Sequence, residues 1–467
     1  MTHEIVGVLA TSILALIGIW IASLGWSISD VIKTKKPKKW IPITIVLPVL
    51  GAFIYYMYAH GDKKNKTQKI KNLITNRWVV IVIILMMLLS LYVRLIDYRW
   101  TYLRNIDSYV FYRWMDETVQ NNGILPVHDI YQLAPDGFYR PPEWIYPYFY
   151  FGSYSYILVN SITPLQLWEF LIYFPPFLAT LAIIPLYFIG KMLYDRKAGI
   201  LAAFFYIFEV NNISHTIGGD PDSDAIVILV SMITMGVMLL TYKHASSAKS
   251  FDKKLTLYTV FSSIILWIWY STWAGYWYIT WLFIGFIVLK LLFTVMKRRN
   301  IKLAWHDTKY ILMSFIIYML LSFALSIPSY GDTKITSALA GPIGFQSIKG
   351  EDSQFPNVYV SVAELQTSGG PKEIIERTSP LGGPFILISS FFLMIYALLY
   401  LLYSYYKNRH HIDTVLILLV WFVGPFLATV IAVRFATLFS APLAIGSAII
   451  ISKIIRMATG EDKHFSD

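Results

Sequence analysis

Residues His215–Tyr242 read HTIGGDPDSDAIVILVSMITMGVMLLTY. A glycine-rich turn carrying Asp220, Asp222 and Asp224 opens directly into a run with no further charge. About 20 apolar residues span a hydrocarbon core some 30 Å thick, and the stretch 223–242 meets that length. A helix that starts at clustered carboxylates and then loses all charge belongs at a membrane boundary.

The same kind of stretch recurs. Twelve apolar segments can be placed, at about 5–27, 40–58, 77–96, 164–192, 197–212, 223–242, 254–270, 273–296, 305–327, 383–405, 411–430 and 433–455. Of 467 residues, 56% are apolar and 14% charged, and the mean hydropathy is +0.56. That balance excludes a soluble enzyme, a disordered polymer and a collagen. The absence of cysteine removes disulfide scaffolds, thiol redox chemistry and Cys-ligated zinc. The expectation is an all-α polytopic membrane protein. Pro175, Pro176, Gly424 and Pro425 fall inside segments, where membrane helices tolerate them as kinks.

The net charge of +11 comes from short basic runs between segments, as cytoplasmic loops require, and not from a patch on a soluble domain, as nucleic acid would require. Lys63–Lys71, Lys243–Lys254, Lys297–Lys302 and Lys407–His411 share one side if every segment from the third onward spans once. That side is then cytoplasmic, as is the tail Lys453–Asp467. The opposite side receives two long loops, 97–163 and 328–382, and the turn Glu209–Asp222, which carry most of the acids. Ile5–Leu24 lacks a basic start and a cleavage site and reads as a retained anchor. The run Lys33–Lys39 is equally basic yet counts to the outside, so segment 40–58 is re-entrant or interfacial, or the charge rule is broken there. Lys38–Gly61, KKWIPITIVLPVLGAFIYYMYAHG, resembles the two-helix hairpin that opens phospholipase D-type cardiolipin synthases and carries no catalytic residue. Residues 1–70 therefore read as an accessory membrane module, and 71–467 as the main transmembrane domain.

Ionisable residues at a membrane boundary are costly and mark functional sites. Four places qualify. Asp107 lies in LRNIDSYVFYRWMDETVQNNG, as a functional group or as a solvated loop aspartate or helix cap. Asp220, Asp222 and Asp224 place three carboxylates within five residues, which suits a hard divalent cation, although aspartate also favours a helix N-terminus. Glu364 in VYVSVAELQTSGGPKE is the only acid between Asp352 and Glu373, a ligand or a residue of an edge strand. Arg434 in AVRFATLFSAPLAIGSA sits in the apolar run of the last segment, either as a planar clamp for phosphate or as a snorkelling side chain. The derived topology puts all four on one face. Carboxylates around a cation next to an arginine are what a transferase with a lipid-phosphate donor needs.

This constellation resembles the oligosaccharyltransferase catalytic subunit in its archaeal and bacterial single-subunit forms, over about residues 77–455. IDSYVFYR with Asp107 is similar to the family's first-loop aspartate motif, and GGDPDSDAIVIL to its DxD turn, with Asp222 and Asp224 as the pair. SVAEL with Glu364 resembles the loop glutamate motif, STWAGYWY (Ser271–Tyr278) the tryptophan-glycine-tyrosine helix start, and Arg434 the late-helix arginine. The resemblance implies a C-type glycosyltransferase transmembrane fold and transfer of a glycan from a polyprenyl phosphate or pyrophosphate to an asparagine amide on the outer face. It further implies Mn2+ or Mg2+ held by Asp107, Asp222, Asp224 and Glu364, with Asp107 and Glu364 also catalytic on the acceptor amide. Arg434 would bind the donor phosphate, and with it His215, which stands where the family usually has an arginine.

The family's WWDYG motif, which reads the acceptor's serine or threonine, does not occur in this sequence. Counting from the third segment gives ten helices where the family has thirteen. The acceptor then differs, a partner supplies that domain, or the chain was cut. The alternatives are a transferase to a lipid, polymer or glycan, and a non-catalytic lipid-linked-glycan binding or scaffold protein.

Overall fold

The structure, a computed structural model, describes residues 66–96, 98, 102–140, 147–273, 275–330, 336, 338–341, 366–378 and 383–459. Segments 5–27 and 40–58 and the cardiolipin-synthase-like hairpin lie outside them. Two compact units are distinguished: 81–326 with 332–467, which holds every site residue discussed below, and 1–80 with 327–331. The described residues of the smaller unit, 66–80 and 327–330, are all helical.

Helices make up most of the described chain. They are α1 (Lys66–Leu95), α2 (Ile106–Gln120), α3 (Pro147–Ile162), α4 (Leu167–Leu181), α5 (Ile183–Leu193), α6 (Arg196–Ile207), α7 (Val210–Ser214) and α8 (Asp224–Ser247). Then follow α9 (Lys253–Tyr270), α10 (Trp277–Arg298), α11 (Ile301–Tyr330), α12 (Pro371–Arg377), α13 (Ser390–Asn408), α14 (Ile412–Ile431) and α15 (Ser440–Ala458), with 3-10 turns at Gly383–Ile388 and Val433–Phe439. The described strands are two residues each: β1 (His128–Asp129) pairs antiparallel with β2 (Phe138–Tyr139).

Seven helices among the described residues are long and apolar enough to cross a membrane: Trp78–Leu95, Leu167–Leu193, α8, α10, Ile301–Pro328, α14 and Val433–Ala458. The protein is thus a multi-pass membrane protein. The expected segment 197–212 does not form one span: α6 has 12 residues, about 18 Å at 1.5 Å each, and the chain breaks before α7. Segments 254–270 and 383–405 appear as α9 and α13, outside the seven. The described part of the expected outer loop 97–163 holds two helices, α2 and α3, and the strand pair. Helix α4 continues through Pro175 and Pro176, and the break comes at Ala182; α14 runs past Pro425.

Local chemistry sets the starts of these helices. Asp195 Oδ1 accepts from the Ala198 N–H at 2.7 Å and opens α6. Asp252 does the same for Leu255 and α9, and Glu169 reaches back to the Gln166 N–H in a capping box for α4. Between helices in lipid, close packing of small residues replaces the hydrophobic drive. A Cβ on Gly190 would stand 2.9 Å from Gly199 Cα, so α5 and α6 meet backbone to backbone there. The face that α15 buries against α6 and α13 includes Ala441, Ala444, Gly446, Ser447 and Ala448. Many buried hydroxyls bond within helices, as in Thr259 to Leu255 and Thr308 to Ala304, or across them, as in Thr241 with Ser262 at 2.7 Å. Leu88, Leu292, Leu320 and Leu427 instead face outward, a surface that acyl chains cover.

Candidate active site

The turn between α7 and α8 is shaped by its backbone. The Gly218 N–H donates to Arg94 O at 2.9 Å, the Gly219 N–H to Ile172 O at 3.2 Å, and Gly219 O accepts from the Arg104 N–H at 2.8 Å. Gly219 has φ +80°, and a Cβ there would lie 2.6 Å from the Tyr98 ring, so only glycine fits. Buried Tyr148 donates its hydroxyl to Pro221 O at 2.8 Å. Ser223, the N-cap of α8, makes no side-chain cap hydrogen bond, and its N–H donates to Asp222 Oδ1.

Asp224 is buried. Its Oδ2 accepts from His215 Nδ1 at 2.9 Å, and its Oδ1 lies 3.5 Å from an Nη of Arg434. The same nitrogen is 3.8 Å from Asp222 Oδ2. Asp222 Oδ1 also accepts from the Ser223 hydroxyl at 3.1 Å. Asp220 Oδ1 accepts from Ser108 Oγ at 2.9 Å. Ser108 follows Asp107 in the first turn of α2, where Asp107 is solvent-exposed and its charge is felt at Asp220. One hydrogen bond therefore ties the first-loop aspartate to the acidic turn. Burial, then the Asp224 carboxylate, pushes Asp222 above the usual carboxylate range against the pull of Arg434; burial also raises Asp220, countered by Ser108.

Arg434 opens the 3-10 turn between α14 and α15. The Val433 N–H donates to Gln366 O at 3.1 Å, and Phe435 meets the edges of Trp273 and Trp277 with centroids 6.2 and 6.5 Å apart. The tryptophan-glycine-tyrosine segment thus forms one wall beside the arginine. Asp224 and Arg434 share a crevice with Val227, Trp273, Tyr278 and Trp421. Tyr278 also borders an apolar groove of about 360 Å³ between α10 and α14, lined by Trp277, Trp281, Val423 and Leu427.

Of the residues singled out in the sequence, the structure gathers His215, Asp222, Asp224 and Arg434, and links Asp107 through Ser108 and Asp220. Glu364 lies outside the described residues, although Gln366, two residues on, is bonded beside Arg434. Among the described residues no three His, Asp or Glu side chains form a ready metal cage. The donor set still fits a hard cation in its chemistry: it is oxygen-only, and Asp220 and Asp222 are partly buried close to further carboxylates that raise both. Sequence reasoning missed Ser108, Tyr148 and Arg94. For Arg94 the signal existed, because it is an arginine inside the apolar segment 77–96, just as Arg434 is in the last one.

The family model described as oligosaccharyl transferase STT3, N-terminal, matches residues 78–460. The dolichyl-phosphooligosaccharide-protein glycotransferase of Methanocaldococcus jannaschii is 26% identical over 236 residues, 49% of this chain and 24% of that protein. The protein of the same description from Methanococcus voltae is 22% identical over 383 residues, 76% of this chain and 40% of its own length. Among solved structures, the Archaeoglobus fulgidus oligosaccharyltransferase in the apo form superposes with a TM-score of 0.62 at 19% identity, covering 83% of this chain and 52% of that one. The archaeal oligosaccharyltransferase of that organism in complex with an inhibitory peptide and a dolichol-phosphate gives 0.56 at 18% identity, covering 84% and 52%. The chain thus spans less than half the length of these curated relatives and about half of the solved chains. The likeness shows the C-type glycosyltransferase fold expected from the sequence.

Proposed function

This chain belongs to the oligosaccharyl transferase STT3 family, and from that premise we propose that it transfers a glycan from a polyprenyl phosphate or pyrophosphate to an asparagine amide of an acceptor protein, on the outer face of a cell membrane. The observation that carries the reading is the joining of Asp222, Asp224, His215 and Arg434 in one cluster, with Asp107 tied to it through Ser108 and Asp220. The apolar groove beside that cluster suits an isoprenoid chain. The solved relative in complex with dolichol-phosphate supports a lipid-linked donor. The basic ends of α10 and α13, Lys297, Arg298 and Lys407, support a cytoplasmic side opposite the acidic turn.

Asp107, Asp222, Asp224 and Glu364 are the residues assigned to hold Mn2+ or Mg2+, which when bound neutralises charge developing on the leaving phosphate. The protein groups do the rest. Arg434 stands 3.5 and 3.8 Å from the two carboxylates, and its planar guanidinium suits the donor phosphate. His215, oriented by Asp224 through Nδ1, is assigned with Arg434 to that phosphate. An amide nitrogen is a poor nucleophile because its lone pair is conjugated. Asp107 and Glu364 accept its two protons as hydrogen bonds and weaken that conjugation.

The test is purified protein with a polyprenyl-linked oligosaccharide, Mn2+ and, in parallel, a sequon peptide or water as acceptor. Metal-dependent glycopeptide is the expected product, and Arg434→Ala should raise the KM for donor by about tenfold or more, the loss of a charge-assisted contact. Free glycan without glycopeptide would reassign the acceptor to another class. No donor consumption in either arm would overturn the transferase reading.

A further inference from the structure

Arg94, at the end of α1, is 2% exposed, a depth at which a guanidinium is retained only where its hydrogen bonds are needed. Its Nε donates to Thr216 Oγ1 at 2.8 Å, and its Nη1 donates to Ser90 Oγ at 2.7 Å. Ser90 Oγ also accepts from Thr180 of α4 at 3.1 Å. The carbonyl of the same residue accepts from the Gly218 N–H at 2.9 Å. Arg94 therefore grips the turn at both 216 and 218, from its side chain and its main chain, while bracing itself on α1 and α4. Thr216 passes the grip on to Asn212 O, and buried Glu209, whose carboxylate accepts from the Asn212 N–H at 2.7 Å, adds a countercharge. Four residues beyond Thr216 the acidic sequence Asp220–Asp224 begins.

We infer that Arg94 is a positioning residue, which holds the turn 215–222 in the shape that presents Asp222 to a divalent cation. It touches neither cation nor donor. A packing residue would be replaceable by any side chain of similar volume. A positioning residue would not, because methionine fills the space but forms neither side-chain bond.

The experiment compares detergent-purified wild type with Arg94→Met, Thr216→Val and Asp222→Asn. Amide hydrogen exchange of the peptide 215–224 is followed beside Mn2+ titration by the paramagnetic resonance of the free ion. Arg94→Met should keep the global unfolding midpoint within a few degrees. It should speed exchange at 218–219 on the order of tenfold or more, the loss of charge-assisted bonds expressed as local opening, and weaken Mn2+ binding by a similar factor. Thr216→Val should move both readouts in the same direction and less. If Arg94→Met fails to fold, Thr216→Val decides alone, since it deletes one hydroxyl at nearly constant volume. Unchanged exchange in both variants overturns the anchor, and faster exchange with unchanged Mn2+ affinity overturns its link to the cation. The cation arm rests on the metal-dependent reading above: should Asp222→Asn bind Mn2+ as wild type does, that reading fails, and the anchor stands or falls on exchange.

Discussion

At the scale of single residues, the site is a set of groups held in unfavourable company. Asp222 is half-buried beside Asp224, and desolvation and that neighbouring carboxylate lift it above the usual carboxylate range, which Arg434 offsets only partly. Such an arrangement costs stability and is retained for function. Asp222→Asn should therefore abolish metal-dependent donor consumption while leaving the unfolding midpoint of the metal-free protein equal to wild type or a few degrees higher. A marked fall in the midpoint would show that the carboxylate serves the fold. The acidic turn and Arg434 were legible in the sequence because charge next to an apolar run stands out. Their pairing was not: the sequence reads Arg434 as a clamp for phosphate, and only the fold brings residues 222, 224 and 434 within 4 Å. Ser108 and Tyr148 were illegible for a different reason. A lone hydroxyl carries no pattern until its partner, Asp220 or Pro221 O, is known.

At the scale of elements, long apolar runs gave the spans, and amphipathic stretches gave nothing. Helix α2 mixes Asp107, Arg113, Asp116 and Glu117 with aromatics, so it hid inside what reads as a loop. What holds it is ionic. Arg113 Nη2 donates to Asp129 Oδ2 at 2.6 Å, and Arg140 reaches Asp129 at 2.8 Å and Glu117 at 2.6 Å while lying 4.6 Å over the Trp114 ring. Asp129 and Arg140 are fully buried, so the β1–β2 hairpin is bolted to the helix that carries Asp107. Removing the shared carboxylate takes from buried Arg140 one of its two carboxylates and from Arg113 its closest one, and breaking a buried ion pair costs about 3 kcal/mol or more. Asp129→Asn should lower the unfolding midpoint and open new protease sites within 121–140, where Glu117→Gln, on the more exposed side, should do less. Equal protease patterns in wild type and Asp129→Asn would mean that aromatic packing alone secures the hairpin.

At the scale of the whole molecule, orientation is the property on which the transferase reading depends, because donor, cation and acceptor must meet on one side. The charge rule assigns the loops at Ser250, Asn300 and Asn408 to the cytoplasm and the hairpin at Asp136 to the opposite face. The chain has no cysteine, so single cysteines can be introduced without a prior clean-up, and all four positions are exposed. In intact cells a membrane-impermeant maleimide should label Asp136→Cys. It should reach Ser250→Cys, Asn300→Cys and Asn408→Cys only after permeabilisation. The three cytoplasmic positions also test the count of spans independently. Asn300 joins α10 to α11, and Ser250 joins α8 to α9, so agreement between them requires α9 and α10 together to cross and return, even though α9 is outside the seven described helices long and apolar enough to cross. If Ser250 and Asn300 label from opposite sides, α9 does not span and the parity argument fails at that point. If Asp136 labels only after permeabilisation, the acidic turn faces the cytoplasm, and the donor must be presented from there.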